Sequence, residues 1–204
     1  MLLTDVAAAL PSPAELRRLS LAMAALDVMV SLDWEKQYFS FRPQFGPAHA
    51  LASMDDNQGD TYAIVFGAEG TVVRGWDHEY GTVPTAAAGL PDDLRWIVDE
   101  PLLGGSREMS CCFWTTGADG PWRCGQGDDD GGAEWLLSQV LDGTPEAYRR
   151  FAASYYEEVL GPVVDEVYAL RTISAFTIRA VNREADIRRT LATLADMGYP
   201  IVRP

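Results

Sequence analysis

The hydrophobic period of this chain switches near residue 130 from two to 3.6, and no other feature constrains the fold as much. Upstream, Phe39 and Phe41 alternate with Tyr38 and Ser40, Tyr62, Ile64 and Phe66 with Ala63 and Val65, and Val72, Arg74 and Trp76 with Val73 and Gly75. Alternation puts one set on each face of a strand. A short run at 49–54, the turn Asp55-Asp56-Asn57-Gln58-Gly59-Asp60 and the loop at 67–70 divide these segments into a meander of three or four antiparallel strands. Residues 109–116 and 122–124 predict a further hairpin across Gly117-Ala118-Asp119-Gly120.

Helical spacing dominates the remainder. Residues 134–141 read as a short helix, and Thr144-Pro145 starts another with Tyr148, Phe151, Tyr155 and Val159 on one face. Gly161-Pro162 breaks it and restarts one carrying Val163, Val167 and Leu170. Residues 173–181 suit a strand at Phe176 and Ile178, but the absence of a breaker favours helix. Asn182 is read as the cap of a last helix that turns Ile187, Leu191, Leu194 and Met197 inward before Gly198 and Pro200. At the other end, Ser12-Pro13-Ala14-Glu15 is a capping box with proline at the first helical position. Leu16, Leu19, Met23, Leu26 and Val30 follow as a single apolar stripe. Between the strands, Pro91-Asp92-Asp93 predicts a short helix with acids in its first turn.

Strands first and helices afterwards, without βαβ alternation, give the α+β class in one domain of 204 residues. The expected layout is an N-terminal helix at 12–29, a sheet region at 35–125 and a helical region at 134–198. No Walker loop and no G-x-G-x-x-G occurs, so no nucleotide cofactor is expected.

Charge narrows the partners. Thirty acidic residues against 16 basic ones leave −14. Residues 1–142 carry the whole excess, with 22 acids and 8 bases, and it clusters at Asp55, Asp56 and Asp60, at Asp92 and Asp93, and at Asp128, Asp129 and Asp130. Such a field argues against nucleic-acid backbones and anionic membranes. No apolar run approaches a membrane span, and no basic-then-apolar leader opens the chain. The excess reads either as solubility or as an acidic face for a basic protein partner. Fifteen of the 16 basic residues are arginine, a mark of a GC-rich genome. The three cysteines, Cys111, Cys112 and Cys124, include no C-x-x-C pair, which fits buried thiols in a reducing cytoplasm. Cys112 and Cys124 could face each other across the hairpin.

The densest chemistry lies in Arg74-Gly75-Trp76-Asp77-His78-Glu79-Tyr80, just past a strand. A histidine beside carboxylates can act as a general base or a metal ligand. On a strand, however, Asp77 and His78 would point to opposite faces, and the histidine could equally close a strand end by hydrogen bonding. His49 and His78 are the only histidines and show no ligand spacing, so no metal is expected. The Asp128-Asp129-Asp130-Gly131-Gly132 run lacks the alternating ligands of a calcium loop. No G-x-S-x-G or Cys-His arrangement supports nucleophilic catalysis. Of six tryptophans, most are assigned to the core and one or two to a groove.

These residues resemble a family of uncharacterised bacterial proteins. The likeness lies in Tyr38-Phe39-Ser40-Phe41, Ser53-Met54, Gly59-Asp60 with Tyr62, Gly70, and Arg74 through Glu79, where the family ends on a G-(F/W)-D-H-E segment. Cys112-Phe113-Trp114, Trp122, Tyr155-Tyr156, Asn182 and Gly198-Tyr199-Pro200 extend it over residues 32–200. It departs after Glu79, where Tyr80-Gly81-Thr82-Val83 stand in place of small polar residues and a proline. The resemblance implies a single bacterial cytoplasmic domain and carries no catalytic residue.

Two functions of different classes follow. The first is a non-enzymatic interaction domain, of the immunity-protein type, that presents an acidic face to a basic partner. The alternative is a small-ligand binder or enzyme with a pocket around Trp76, Asp77, His78 and Glu79 that also holds Asp60 and Arg74. A purely structural subunit with an exposed apolar patch is a third. Oligomeric state is left open.

Overall fold

The computed structural model describes residues 1–103, 108–127 and 129–202. Its centre is a six-stranded antiparallel sheet in strict sequence order. The strands are β1 (Phe39–Phe45), β2 (His49–Asp55), β3 (Thr61–Phe66), β4 (Thr71–Trp76), β5 (Cys111–Trp114) and β6 (Arg123–Cys124). The predicted meander and hairpin are therefore one continuous α+β sheet. Both faces are covered. Tyr62, Ile64 and Phe66 join the helix-side core with Val73, Cys111 and Phe113. Ala63, Val65, Val72, Cys112 and Trp114 lie on the other side, under Leu90, Leu94, Ile97 and Val98.

Helix α1 (Leu3–Ala9), absent from the sequence-based layout, precedes the capped helix α2 (Pro13–Val30). The indole of Trp122 donates to the Pro11 carbonyl at 2.7 Å, fastening the link between these helices beside β6. Ser12 Oγ caps α2 by accepting from the Glu15 N–H. The reciprocal half of the expected capping box is missing, because the Glu15 carboxylate turns to the Arg18 guanidinium at 2.6 Å. Leu16, Leu19, Met23 and Leu26 are buried as the stripe requires, but so are Ala22, Ala24, Ala25, Asp27, Val28 and Met29. A helix apolar almost all round is a central helix, not a one-faced cover. It runs between the sheet and the later helices.

Asp27 is the exception within that helix. Its Oδ2 accepts the N–H groups of Tyr38 at 2.9 Å and Phe39 at 2.7 Å, and its Oδ1 accepts the Tyr148 hydroxyl at 2.5 Å. One fully buried carboxylate thus ties α2 to the start of edge strand β1 and to a C-terminal helix.

The remaining helices are α3 (Arg95–Asp99), α4 (Ala133–Leu136), α5 (Ser138–Asp142), α6 (Pro145–Tyr155), α7 (Val163–Tyr168), α8 (Ala175–Val181) and α9 (Ile187–Asp196). Four expectations change. Helix α3 begins at Arg95, because Pro91 to Leu94 form a turn closed by the Leu94 N–H on the Pro91 carbonyl, so Asp92 and Asp93 precede it. Residues 134–141 are split between α4 and α5. Val159 lies beyond α6 and is exposed, since the helix stops at Tyr155 and Glu157 takes a left-handed φ of 58°. The last helix is capped by Asp186, whose Oδ1 accepts the Arg189 N–H at 3.1 Å. Asn182 instead closes α8 and donates to the Val30 carbonyl at 2.9 Å.

The cysteines are all free, with Cys111 and Cys112 buried on opposite faces of the sheet. Cys124 is in register with Phe113, one position from Cys112. No described helix is long and apolar enough to cross a membrane.

Candidate functional site

The candidate residues collect at one end of the sheet, where β2 turns into β3 and β4 runs out. Aspartates build the first turn. Asp55 Oδ1 accepts the Asn57 N–H, and Asp56 Oδ1 accepts those of Gln58 at 2.7 Å and Asp60 at 2.9 Å. Asn57 and Gly59 adopt φ of 60° and 119°, the left-handed region that Asn and Gly tolerate. The turn therefore presents Asp60 at the first position before β3.

Strand β4 ends at Trp76, so Asp77, His78 and Glu79 lie in a turn and escape strand geometry. The expectation that Asp77 and His78 must diverge is overturned for that reason. Asp77 Oδ1 accepts the N–H groups of Glu79 at 2.9 Å and Tyr80 at 3.2 Å. Its own N–H donates to Ser110 Oγ at 3.0 Å. The turn swings His78 back onto Asp60, whose Oδ1 accepts the His78 N–H at 2.9 Å and lies 2.7 Å from His78 Nδ1. Asp60 Oδ2 accepts the Trp135 indole N–H at 3.2 Å, which brings in α4.

Glycine makes the last approach possible. Gly132 has a φ of 78°, and a Cβ there would sit 2.3 Å from Asp77 Oδ2. The 129–132 loop consequently packs directly on the 77–80 turn. Its Asp129 and Asp130 accept the N–H groups of Gly131 and Glu134 respectively. Asp128, third member of that acidic run, lies outside the described residues.

The electrostatics follow from these bonds. The hydrogen bond to Asp60 raises the His78 pKa; desolvation opposes it in part, and smaller Coulombic help comes from Asp60, Glu79 and Asp77. The main partner is thus not a flanking acid but a carboxylate 18 residues away. Burial works to raise the Asp60 carboxyl, yet hydrogen bonds from the His78 N–H, the His78 ring and Trp135 outweigh it and leave the pKa lowered. Asp129 and Asp130 hold the Tyr80 hydroxyl above its ordinary value. Among the described residues, Asp60, Asp77 and His78 each offer one ligand atom within 4.8 Å of the others.

Arg74 and Trp76 lie elsewhere. Arg74 is on the opposite face of the sheet, 3% exposed, and donates to the carbonyls of Val98 at 3.3 Å and Glu108 at 2.7 Å. Desolvation lowers its pKa. With Trp76, Arg42, Ser53 and Thr61 it lines a groove of ≈ 290 Å³ that does not include Asp60, Asp77 or His78. The six candidates are thus split between two surfaces.

No family model matches the chain, and no curated protein or solved structure matches it.

Sequence reasoning missed Trp135, Ser110 and Gly132, each of which touches Asp60 or Asp77 from a segment remote in the chain. Only the doubled glycine at 131–132 signalled a close approach. The tryptophans are less buried than expected: Trp34, Trp96 and Trp135 are exposed, and of the six only Trp114 is fully buried. His49 stands at the far end of the sheet, paired with Glu69.

Proposed function

We propose that the chain is a bacterial cytoplasmic interaction domain, a member of the uncharacterised family it resembles, that takes a basic protein partner on the acidic end of its sheet. In its specific form this is an immunity-type protein that neutralises a toxin. One observation carries the reading. Asp60 from one turn accepts the indole N–H of Trp135, 56% exposed, while Asp77 from a second turn and Asp129 and Asp130 from a third act on the hydroxyl of Tyr80, 48% exposed, and Glu79 and Asp129 are the carboxylates that stand open to solvent there. An arginine from a partner can stack on an exposed ring while its guanidinium meets a carboxylate. A single-sign field of this kind speeds encounter with a basic surface and disfavours nucleic acids and anionic membranes.

The alternative, a small-ligand binder or enzyme, is favoured by the Asp60–His78 pair, in which a carboxylate orients a half-exposed imidazole. It loses the single pocket that was to unite Asp60, Arg74 and His78.

The test is capture from native host lysate at low and high salt, using the wild type and the triple variant Glu79→Lys, Asp129→Lys, Trp135→Ala. A basic protein held at low salt by the wild type alone is the expected result. Capture that survives both high salt and the triple variant would sink the proposal.

A further inference from the structure

We infer that Asp60, Asp77 and His78 form a binding site for one divalent first-row transition ion, of the Zn²⁺ or Mn²⁺ type. The inference is independent of the partner-binding reading. The three residues come from two turns, and their ligand atoms all lie within 4.8 Å of one another. His78 Nδ1 and Asp60 Oδ1 are 2.7 Å apart. Neighbouring ligands around an ion with bonds of about 2.1 Å stand roughly 3.0 Å apart at right angles and about 3.4 Å apart in a tetrahedron, so the pair must open by a few tenths of an ångström to admit the ion.

The surroundings orient the ligands before any ion arrives. Trp135 Nε1 holds one oxygen of Asp60, and the N–H groups of Glu79 and Tyr80 hold one oxygen of Asp77. Outer hydrogen bonds of this kind fix ligand direction in metal sites. Asp60 and Asp77 are 7% and 6% exposed, unlike solvated surface acids. The His78 side chain is 50% exposed, which leaves an open side for water ligands and for entry. Two carboxylate oxygens with one imidazole nitrogen suit Zn²⁺ or Mn²⁺ better than all-oxygen Ca²⁺ or thiolate-seeking Cu⁺. When the ion takes His78 Nδ1, the proton on that nitrogen passes to solvent.

The test uses the full chain, stripped with chelator and titrated calorimetrically with ZnCl₂ and, separately, MnCl₂. Mn²⁺ broadening of the two imidazole signals is read in parallel. One ion per chain is expected, with His78 broadened before His49, and with binding weakened about ten-fold or more in Asp77→Asn and His78→Gln. Asparagine at 77 keeps the oxygen that accepts the Glu79 and Tyr80 N–H groups, so the turn should survive. Should that variant fail to fold, His78→Gln, altered at the surface, decides alone. No saturable binding of either ion below about 1 mM overturns the site. Equal binding by wild type and His78→Gln overturns it too.

Discussion

Asp27, inside the helical layer, and Asp60, at the end of the sheet, are both aspartates that accept at least three hydrogen bonds, yet their carboxyls are pushed in opposite directions. At Asp60 the donors include the His78 ring, half exposed to water, and their hydrogen bonds keep the carboxyl charged. At Asp27 the donors are two backbone N–H groups and neutral tyrosine, with no cation beside them. Burial there pushes the carboxyl up to about 7, and hydrogen bonds from Tyr148, Phe39, Tyr156 and Tyr38 offset only part of it. Hydrogen bonds alone do not settle the charge of a buried acid. The desolvation those bonds must offset decides it: complete for Asp27 inside the helical layer, smaller for Asp60 beside a half-exposed imidazole, and that separates a pinned structural residue from one suited to binding.

Removing each carboxylate is the strongest way to break the comparison. Asp27→Ala orphans the Phe39 N–H and the Tyr148 hydroxyl deep in the core and leaves the Tyr38 N–H only the Tyr156 hydroxyl at 3.2 Å; each lost partner costs about 1–3 kcal/mol, so we expect a loss of at least ~2 kcal/mol in urea unfolding. A loss below ~1 kcal/mol would show that water replaces the carboxylate and that the core there is open.

The pH dependence comes next in size. The Asp27 carboxyl titrates near 3.8 in the unfolded chain and about 7 in the folded one. Between those values the folded chain binds the extra proton, so stability is highest at the acid side of the window and falls as pH rises through it. The slope approaches ~1.4 kcal/mol per pH unit. Asp60 works in the reverse sense. Its lowered pKa gives stability present above the ordinary carboxylate range and lost as pH falls through the folded value. Asp27→Asn should flatten the slope between about pH 4 and 7 while leaving the loss at stronger acid. An unchanged slope would mean that another group carries it.

Asp60→Ala should cost less, ~1–2 kcal/mol, because the His78 N–H and the Trp135 indole it abandons can turn to water. Trp135 emission should shift on the same substitution, reporting the broken bond. A cost equal to that of Asp27→Ala would make the sheet end as rigid as the interior.

How far the sequence carried these differences depends on where each residue's partners sit. The sheet was readable because alternation at 62–66 and 72–76 is local, and the turn at 55–60 announces itself in Asp, Asn and Gly. Helix α1 and the all-round burial of α2 were not, since an apolar stripe on one face conceals alanines that pack on the others. The Asp60–His78 pair was half legible. Both residues were singled out, but only the antiparallel register that sets Thr61 opposite Trp76 brings them together. Asp27 gave a single hint, as the one charged residue in an otherwise apolar stretch from 21 to 30. Arg74 misled, because its neighbours in sequence suggested a shared site while the strand pleat sent it to the opposite face.

The smallest effect on stability should come from the exposed acids, and it separates folding from recognition. Glu79 offers no carboxylate to the turn it occupies, and its contribution there is its backbone N–H on Asp77. Asp129 Oδ1 accepts the Gly131 N–H, which an asparagine oxygen can also do. Glu79→Gln with Asp129→Asn therefore removes two charges and keeps every hydrogen bond named at these positions. Unfolding should change by no more than ~0.5 kcal/mol, the usual range for surface positions. Binding of a basic partner should meanwhile weaken and lose part of its salt dependence, because long-range attraction is what these charges supply. Unaltered association, measured across a salt series, would place recognition away from this end of the sheet and leave the acids there as turn-formers only.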